Sequence, residues 1–469
     1  MPGHKRRMSG DDLLSEIYGI DITEIEGFDN LHDAKGILKR SQERTAECFG
    51  ADETRFLVNG STSGILAAVC GSVRTGDAAV FTSNCHRSVW NAVMLSGATP
   101  FVITPEKESL FDMYAGTEPA DIREAIDAAR ASFDNTEKQT HRIAVVITSP
   151  TYEGITSDVP AISEICREKG VVLIVDAAHG AHFGFSKTFP ESARKYADVV
   201  IEGVHKTLPA MTQTALIHIK ENCPTKEGIQ RMLPVFMTSS PSYVLMASID
   251  SMTGLLAEKK DELFDAYTAR LDRLYDKARA FCSIKILCKD LLAAAGSTDH
   301  DRSKIVAGDI TGRISGRQLS DMLLDRYGIR AEMAAEDHVI LMTGIADTDE
   351  GFERLTKALC EIDEQISSEG ARRRKRSIVN RTEKIHVIGS GIKDALLADD
   401  REYIPLERAE GRIAGDFVII YPPGVPVAIP GEPVTKEAVE RLLEADKCGL
   451  EIMGLKDKEI AVLWERYST

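Results

Sequence analysis

Five short apolar runs between Thr54 and Ile219 constrain this chain more than any other feature. They are Ala78–Thr82 (AAVFT), 142–148 (RIAVVIT), 171–175 (VVLIV), 197–201 (ADVVI) and Ala215–Ile219 (ALIHI). Each is continuously apolar and rich in β-branched residues rather than alternating, which predicts strands buried on both faces. Amphipathic stretches separate them. Between the second and third runs, Val159–Lys169 carries Pro160 in its first turn and Gly170 just past its end, the start and stop of a helix. Strand–helix–strand alternation requires parallel pairing, so the spacing predicts an α/β layered domain.

Beyond that region the pattern changes. Residues 241–273 read as a long helix rich in Leu, Ala, Glu and Lys. Residues 301–342 read as a smaller α+β unit, with strands at 303–307 and Val339–Met342 and a helix at 351–366 following. The cationic run 371–376 (ARRRKR) reads as a solvated linker. A chain of 469 residues accommodates about three domains. We divide it into an N-terminal segment (1–45), a large α/β domain (46–275), a small α+β domain (276–370) and a C-terminal domain (371–469). The last contains Tyr421-Pro-Pro-Gly-Val-Pro426, Pro430-Gly-Glu432 and a helix from Thr435.

Charge and cysteine usage narrow the function. The net charge of −16 repels phosphate backbones and argues against bulk nucleic-acid binding. The nine cysteines are odd in number and contain no C-x-x-C pair, so they read as reduced thiols of a cytoplasmic protein, with neither disulfides nor a zinc site. No apolar run approaches the roughly 20 residues of a membrane span, and the basic start Met-Pro-Gly-His-Lys-Arg-Arg lacks the apolar core of a signal peptide.

Four motifs stand at the carboxyl ends of strands, where an α/β enzyme places its site. Asn59-Gly-Ser-Thr-Ser-Gly64 precedes a helix-prone stretch at 65–73 and could cradle a phosphate with N–H groups, hydroxyls and the helix dipole, or simply cap a helix. Asn84-Cys85-His86-Arg87-Ser88 offers His86 either as a stacking partner for a planar cofactor or as a polar loop residue. Asp176-Ala-Ala-His179-Gly180-Ala-His182 begins with an aspartate that is costly to desolvate without a cation, unless it caps a helix; its two histidines lack a third metal ligand nearby. His205-Lys206 follows a buried strand, placing Lys206 either for Schiff-base chemistry or as an ordinary solvated lysine.

Taken together, the phosphate loop, the histidine, the strand-end aspartate and a lysine thirty positions after it follow the order of fold-type-I pyridoxal-phosphate enzymes. Within these the chain resembles the ornithine/lysine/arginine decarboxylase family. The resemblance rests on Pro2-Gly-His-Lys5, Asp21-Ile-Thr-Glu24, Asn59-Gly-Ser-Thr62, Asn84-Cys-His86, the 176–182 motif, His205-Lys-Thr-Leu208 with Thr212-Gln213, Ser240-Pro-Ser-Tyr243, Tyr421-Pro-Pro-Gly424 and Pro430-Gly-Glu432. It implies a large domain like that of aspartate aminotransferase, with small and C-terminal α+β domains. It further implies Lys206 as the cofactor lysine, Asp176 as the partner of the pyridine nitrogen, and His86 on the ring face. Ser61, Thr62 and Ser63 would line the phosphate with His205 beside them, and His179 would lie near the phenolic oxygen. Ser239 and Ser240 would reach the neighbour's cofactor in an obligate homodimer or higher oligomer.

The implied reaction is decarboxylation of a basic amino acid, either arginine, lysine or ornithine, to its amine and CO₂. Asp21, Glu24 and Asp29 are candidate carboxylates for the substrate's distal cation, though an ordinary polar loop explains them equally well. There are departures from the family. Gly203 replaces a serine common two positions before the His-Lys pair, so a phosphate hydroxyl is expected to be missing; Asp416 replaces a glutamate. The likeness is to the short members without an N-terminal wing. The chain begins at the PGHK motif, where relatives carry further helix, so either the start is misassigned or that helix's dimer contacts are absent. Two rival readings use the same residues: another fold-type-I enzyme, an aminotransferase or lyase, or a catalytically silent cofactor-binding regulator.

Overall fold

The apolar runs become the middle of one eight-stranded sheet. In the computed structural model, which describes residues 13–133, 141–292, 296–368, 384–389, 391–421, 425–447 and 449–464, its strands are β1 (Glu53–Leu57), β2 (Ala78–Thr82), β3 (Thr99–Ile103), β4 (Ile143–Thr148), β5 (Val172–Asp176), β6 (Val199–Glu202), β7 (Ala215–Ile219) and β8 (Ile385–Val387). Their order across the sheet is β1-β7-β6-β5-β4-β2-β3-β8. The pairings from β6 through β3 are parallel. The edges are antiparallel: β7 with β6 and β1 on one side, β8 with β3 on the other. The expected strands are all present, and the helix Val159–Lys169 has the expected bounds, capped by Gly170 in the left-handed conformation.

Both sheet faces are dry, which is why the runs do not alternate. From β5, Leu173 and Val175 enter a cluster with Ile122, Ile126 and Ile162 on one face. Val172 and Ile174 enter another with Ile65, Ala67 and Ala68 on the opposite face. Burying these four side chains stabilises by roughly 1.5–3 kcal/mol each, enough to carry the cost of the buried carboxylate on which the strand ends.

One helix begins earlier than expected. The stretch 59–64 reads as a loop in sequence, but the helix spans Gly60–Ser72, and Ser61, Thr62 and Ser63 form its first turn. Gly60, at φ +74°, turns the chain directly from β1 into the helix, a conformation that favours glycine. The hydroxyl of Ser63 then donates to the Gly60 carbonyl at 2.8 Å.

The long helix runs Tyr243–Ala278, capped by Ser242. It shares a core with the smaller unit, whose strands include Ile284–Ile286, Lys304–Asp309 and Val339–Met342 and whose helices are Gly316–Tyr327 and Asp349–Ser368. Past residue 400 a separate cluster forms around Leu406, Val418, Leu442 and Val462. The stretch after 371 also supplies β8 to the large sheet, and Phe417 packs on Trp90 with the Arg87 guanidinium over its ring. Asp416 accepts the Phe417 N–H at 2.7 Å. The PGHK motif, the 371–376 run and Pro422-Pro-Gly424 lie outside the described residues. No helix among the described residues is long and apolar enough to cross a membrane.

A polar network underlies the sheet next to Lys206. Arg194 pairs with Glu202 and donates to the carbonyls of Phe49 (2.9 Å) and Phe183 (2.6 Å). The other oxygen of Glu202 meets Nε2 of His218 at 3.1 Å, and Nδ1 of His218 meets the Thr54 hydroxyl at 2.8 Å. Because Arg194 and Glu202 are almost fully buried, removing one partner strands the other charge. Glu202→Leu is expected to cost about 3–5 kcal/mol, read as a fall in the urea midpoint. An unchanged midpoint would show that the pair contributes nothing to stability.

Candidate active site

All four motifs meet at one sheet edge. The turns after β2, β5 and β6 arrive there because these strands are parallel, and the turn after β1 because two antiparallel pairings leave β1 running the same way as β6. Asp176 is the last residue of β5 and is 3% exposed. Burial raises its carboxyl above the ordinary range, opposed by the charges of His86 and Lys206 and by the N–H of Ala178, which donates to Oδ1 at 3.1 Å. His86 caps the helix Arg87–Ser96: its Nδ1 accepts from the Ser88 N–H at 3.2 Å and meets the Ser88 hydroxyl at 2.8 Å. Burial holds its imidazole below the usual range while Asp176 pulls the other way.

Lys206 lies in the short helix Val204–Thr207 directly after β6. Burial lowers its ammonium pKa against the pull of Asp176 and Glu332. Its Nζ is 3.0 Å from Nε2 of His179, and Nδ1 of His179 is 2.6 Å from Nζ of Lys304. Burial, then the cations of Lys304 and Lys206, hold His179 well below the histidine range, so the ring is neutral. His205 Nδ1 is 2.7 Å from the Thr214 carbonyl. His182 pairs instead with buried Asp301 at 3.1 Å.

The residues fit a phosphorylated, aldehyde-bearing, planar cofactor on two observations. The buried hydroxyls of Ser61, at the helix N-terminus, and of Thr207, next to Lys206, have no partner among the described residues. A cation-forming lysine and an anion-forming carboxyl are buried together with an imidazole beside them, the donor set a pyridinium Schiff base requires. Ser63 is turned inward onto Gly60, whereas Thr62 is exposed. Gly203 has a structural reason. A Cβ there would lie 2.8 Å from the Ala178 carbonyl and 3.2 Å from the Ser61 hydroxyl, so this backbone has no room for a side chain.

Other expected residues lie apart. Ser239 and Ser240 are exposed, on a turn tied to this chain's own site loop by the Thr238 N–H donating to Asn59 Oδ1 at 3.1 Å. Asp21 and Glu24 are half-buried after the first helix, with Glu24 accepting from the Thr23 hydroxyl at 2.6 Å. Asp29 is not a free carboxylate for a substrate. Burial would raise it, but the N–H groups of Lys35, Gly36, Asn30 and Lys39 hold it at about 2, and it organises the start of the helix Ile37–Phe49. Sequence reasoning missed Lys304, Glu332 and Tyr152. Lys304 carried a readable signal: a lysine opening an otherwise apolar strand has the same desolvation problem as Asp176.

Comparison with known proteins places these findings. The family model "Orn/Lys/Arg decarboxylase, major domain" matches residues 7–273, and the corresponding C-terminal domain model matches residues 374–454. An arginine decarboxylase of Halalkalibacterium halodurans is 29% identical over 470 residues, covering 99% of this chain and 93% of that protein. An arginine decarboxylase of Bacillus subtilis is 29% identical, with the same coverage. Among solved structures, the constitutive lysine decarboxylase of E. coli aligns with a TM-score of 0.74 at 20% identity, covering 99% of this chain and 79% of that one. The ureidoglycine-glyoxylate aminotransferase of Bacillus subtilis aligns at 0.53 and 16% identity, covering 71% of this chain and 86% of that one.

Proposed function

This chain belongs to the ornithine/lysine/arginine decarboxylase family, a family of fold-type-I pyridoxal-phosphate enzymes, and we propose that it decarboxylates arginine to agmatine and CO₂. The buried Lys206–Asp176–His86 group at one sheet edge supports pyridoxal-phosphate chemistry, and the observation that carries a decarboxylase reading is the family match over residues 7–273 and 374–454. Near-full-length likeness to two proteins named arginine decarboxylase favours arginine among the basic amino acids.

In this reading Lys206 holds the cofactor's aldehyde carbon. The Asp176 carboxylate would keep a proton on the pyridine nitrogen, and His86 would lie against the ring. Ser61, Thr62, Ser63 and His205 would hold the phosphate, Ser63 through its backbone N–H because its hydroxyl is turned onto Gly60, and His179 would serve the phenolic oxygen. When bound, pyridoxal phosphate supplies an electron sink for the pair left at Cα as CO₂ departs. The chain's own work is to orient and to move protons. Burial lowers the Lys206 pKa, which makes its ammonium a readier proton donor and its amine easier to reach, suiting it to accept a proton and return one to Cα. The dry surroundings of Asp176 make its charge act at low effective dielectric. Asp21 and Glu24 are proposed to receive the substrate's guanidinium. Ser239 and Ser240 are proposed to serve the neighbouring site of a homodimer, a role consistent with their exposure.

The test is a panel of arginine, lysine and ornithine with added pyridoxal phosphate, read by mass. Agmatine should form with a kcat/KM about tenfold or more above that for the other two amines, since a guanidinium and an ammonium make different contacts with carboxylates. A preference for lysine or ornithine overturns the substrate. A keto acid product makes the chain an aminotransferase, and bound cofactor without any product makes it a silent homologue.

A further inference from the structure

Lys304 is fully buried, and the proposed chemistry gives it no role. It opens the strand Lys304–Asp309 of the smaller unit, and its Nζ points away from that unit's core to Nδ1 of His179 at 2.6 Å. Its ammonium also lies over the Tyr152 ring, 5.4 Å from the centroid. A buried lysine between two packed units is costly, so the one hydrogen bond its Nζ makes among the described residues, to a ring that itself bonds Lys206, points to its task.

The hydrogen-bond count is restrictive. A neutral imidazole has one N–H and one lone pair. His179 contacts Lys304 through one nitrogen and Lys206 through the other. An ammonium can only donate. Both contacts are therefore satisfied when one lysine is an ammonium and the other an amine, and not when both are charged. Two arrangements meet this condition. In one, Lys304 is charged, His179 carries its hydrogen on Nε2 and Lys206 is an amine. In the other, Lys304 is an amine, the hydrogen is on Nδ1 and Lys206 is charged. They interconvert by moving one proton from Lys206 Nζ to His179 Nε2 and another from His179 Nδ1 to Lys304 Nζ, with no net gain or loss.

We propose that Lys304 is a positioning residue that shares a single proton with Lys206 through His179, so that Lys206 can become an amine inside the closed site without exchanging with water. This rests on Lys206 being the residue that carries the cofactor.

The charged surroundings allow both arrangements. Lys304 faces Asp301, Glu332 and Glu153, which favour its ammonium, and Lys206, which opposes it; His300 also feels its charge. Burial brings it down to about 8, so it can give up its proton near physiological pH. Lys206 faces Asp176 and Glu332, with His86 also within its field. His179 feels Lys304 and Lys206 and lies in the field of His86 and His205, and any positive charge on these disfavours a charged ring.

The test uses the full chain stripped of cofactor. Pyridoxal phosphate is added between pH 6 and 10, trapped with borohydride, and located by peptide mass. Trapping on a lysine other than Lys206 overturns the functional reading itself. With Lys206 confirmed, Lys304→Met removes the internal acceptor and a neighbouring cation, while His179 Nε2 still accepts from the Lys206 ammonium. The midpoint of capture should therefore rise by about one pH unit, the worth of one charge-assisted hydrogen bond. In the His179→Phe background the same Lys304→Met change should raise the midpoint by less than half as much, because only the direct charge interaction with Lys206 is left to lose. Should Lys304→Met fail to fold, Lys304→Gln, which hydrogen-bonds Nδ1 without holding a charge, carries the same expectation. An unmoved midpoint overturns the proposal. So does a rise of half that size or more in the His179→Phe background, which would make the effect a direct charge interaction.

Discussion

Lys206→Ala is expected to lower turnover by about 10³-fold or more and to leave no lysine on which borohydride fixes pyridoxal phosphate at the site. The size follows from two losses at once. The covalent hold on the cofactor disappears, and so does the amine that moves the proton at Cα, and general acid–base catalysis alone is worth roughly 10²–10⁴. In the proposed reaction Lys206 suits both jobs, since burial lowers its pKa while Asp176 and Glu332 oppose the fall. The decisive measurement is peptide mapping after reduction of the wild-type protein. Label on another lysine, or a Lys206→Ala chain with near-normal amine production, would remove Lys206 from the chemistry.

The sheet was legible because burial on both faces leaves a signature in composition. Residues 171–175 are apolar at every position since Leu173 and Val175 meet one helix layer while Val172 and Ile174 meet the other. The Asp176, His86 and Lys206 positions were legible for a related reason: Asp176 ends a buried apolar strand, and His86 and Lys206 each lie four residues past the end of one. What sequence hid was everything set by long-range packing. Lys304 is separated from His179 by more than a hundred residues, and its contact depends on how the smaller unit docks. Asp29 looked like any loop carboxylate. Its role became visible once the backbone N–H groups of Lys35, Gly36 and Leu38 were seen converging on it. Gly203 reads in sequence as a lost hydroxyl, and the close Ala178 carbonyl, contributed by a neighbouring strand's turn, adds the steric reason for the glycine.

Asp176→Asn is expected to keep bound cofactor and lose roughly 10³-fold in turnover. The substitution preserves shape, and the Ala178 N–H can still donate to the side-chain oxygen as it does at 3.1 Å to the carboxylate. What it removes is a full negative charge in a site that is 3% exposed. A charge pair about 4 Å apart at an effective dielectric of ~20 is worth about 4 kcal/mol. Each 1.4 kcal/mol is a factor of ten, so losing that pairing with the protonated ring nitrogen amounts to about three decades. Loss of stability through burial of a new polar group could mimic the effect, and a second carboxylate separates the two. Asp198, just before β6 at the opposite end of that strand from Lys206, is also raised by burial and accepts the Leu173 N–H at 2.8 Å. Asp198→Asn should cost stability of the same order and leave turnover within a few-fold of wild type. If both variants lose turnover alike while both bind cofactor, the Asp176 charge has no special part in the reaction. If Asp176→Asn alone loses it, the strand-end carboxylate acts on the ring, and its burial is what makes the charge strong enough to do so.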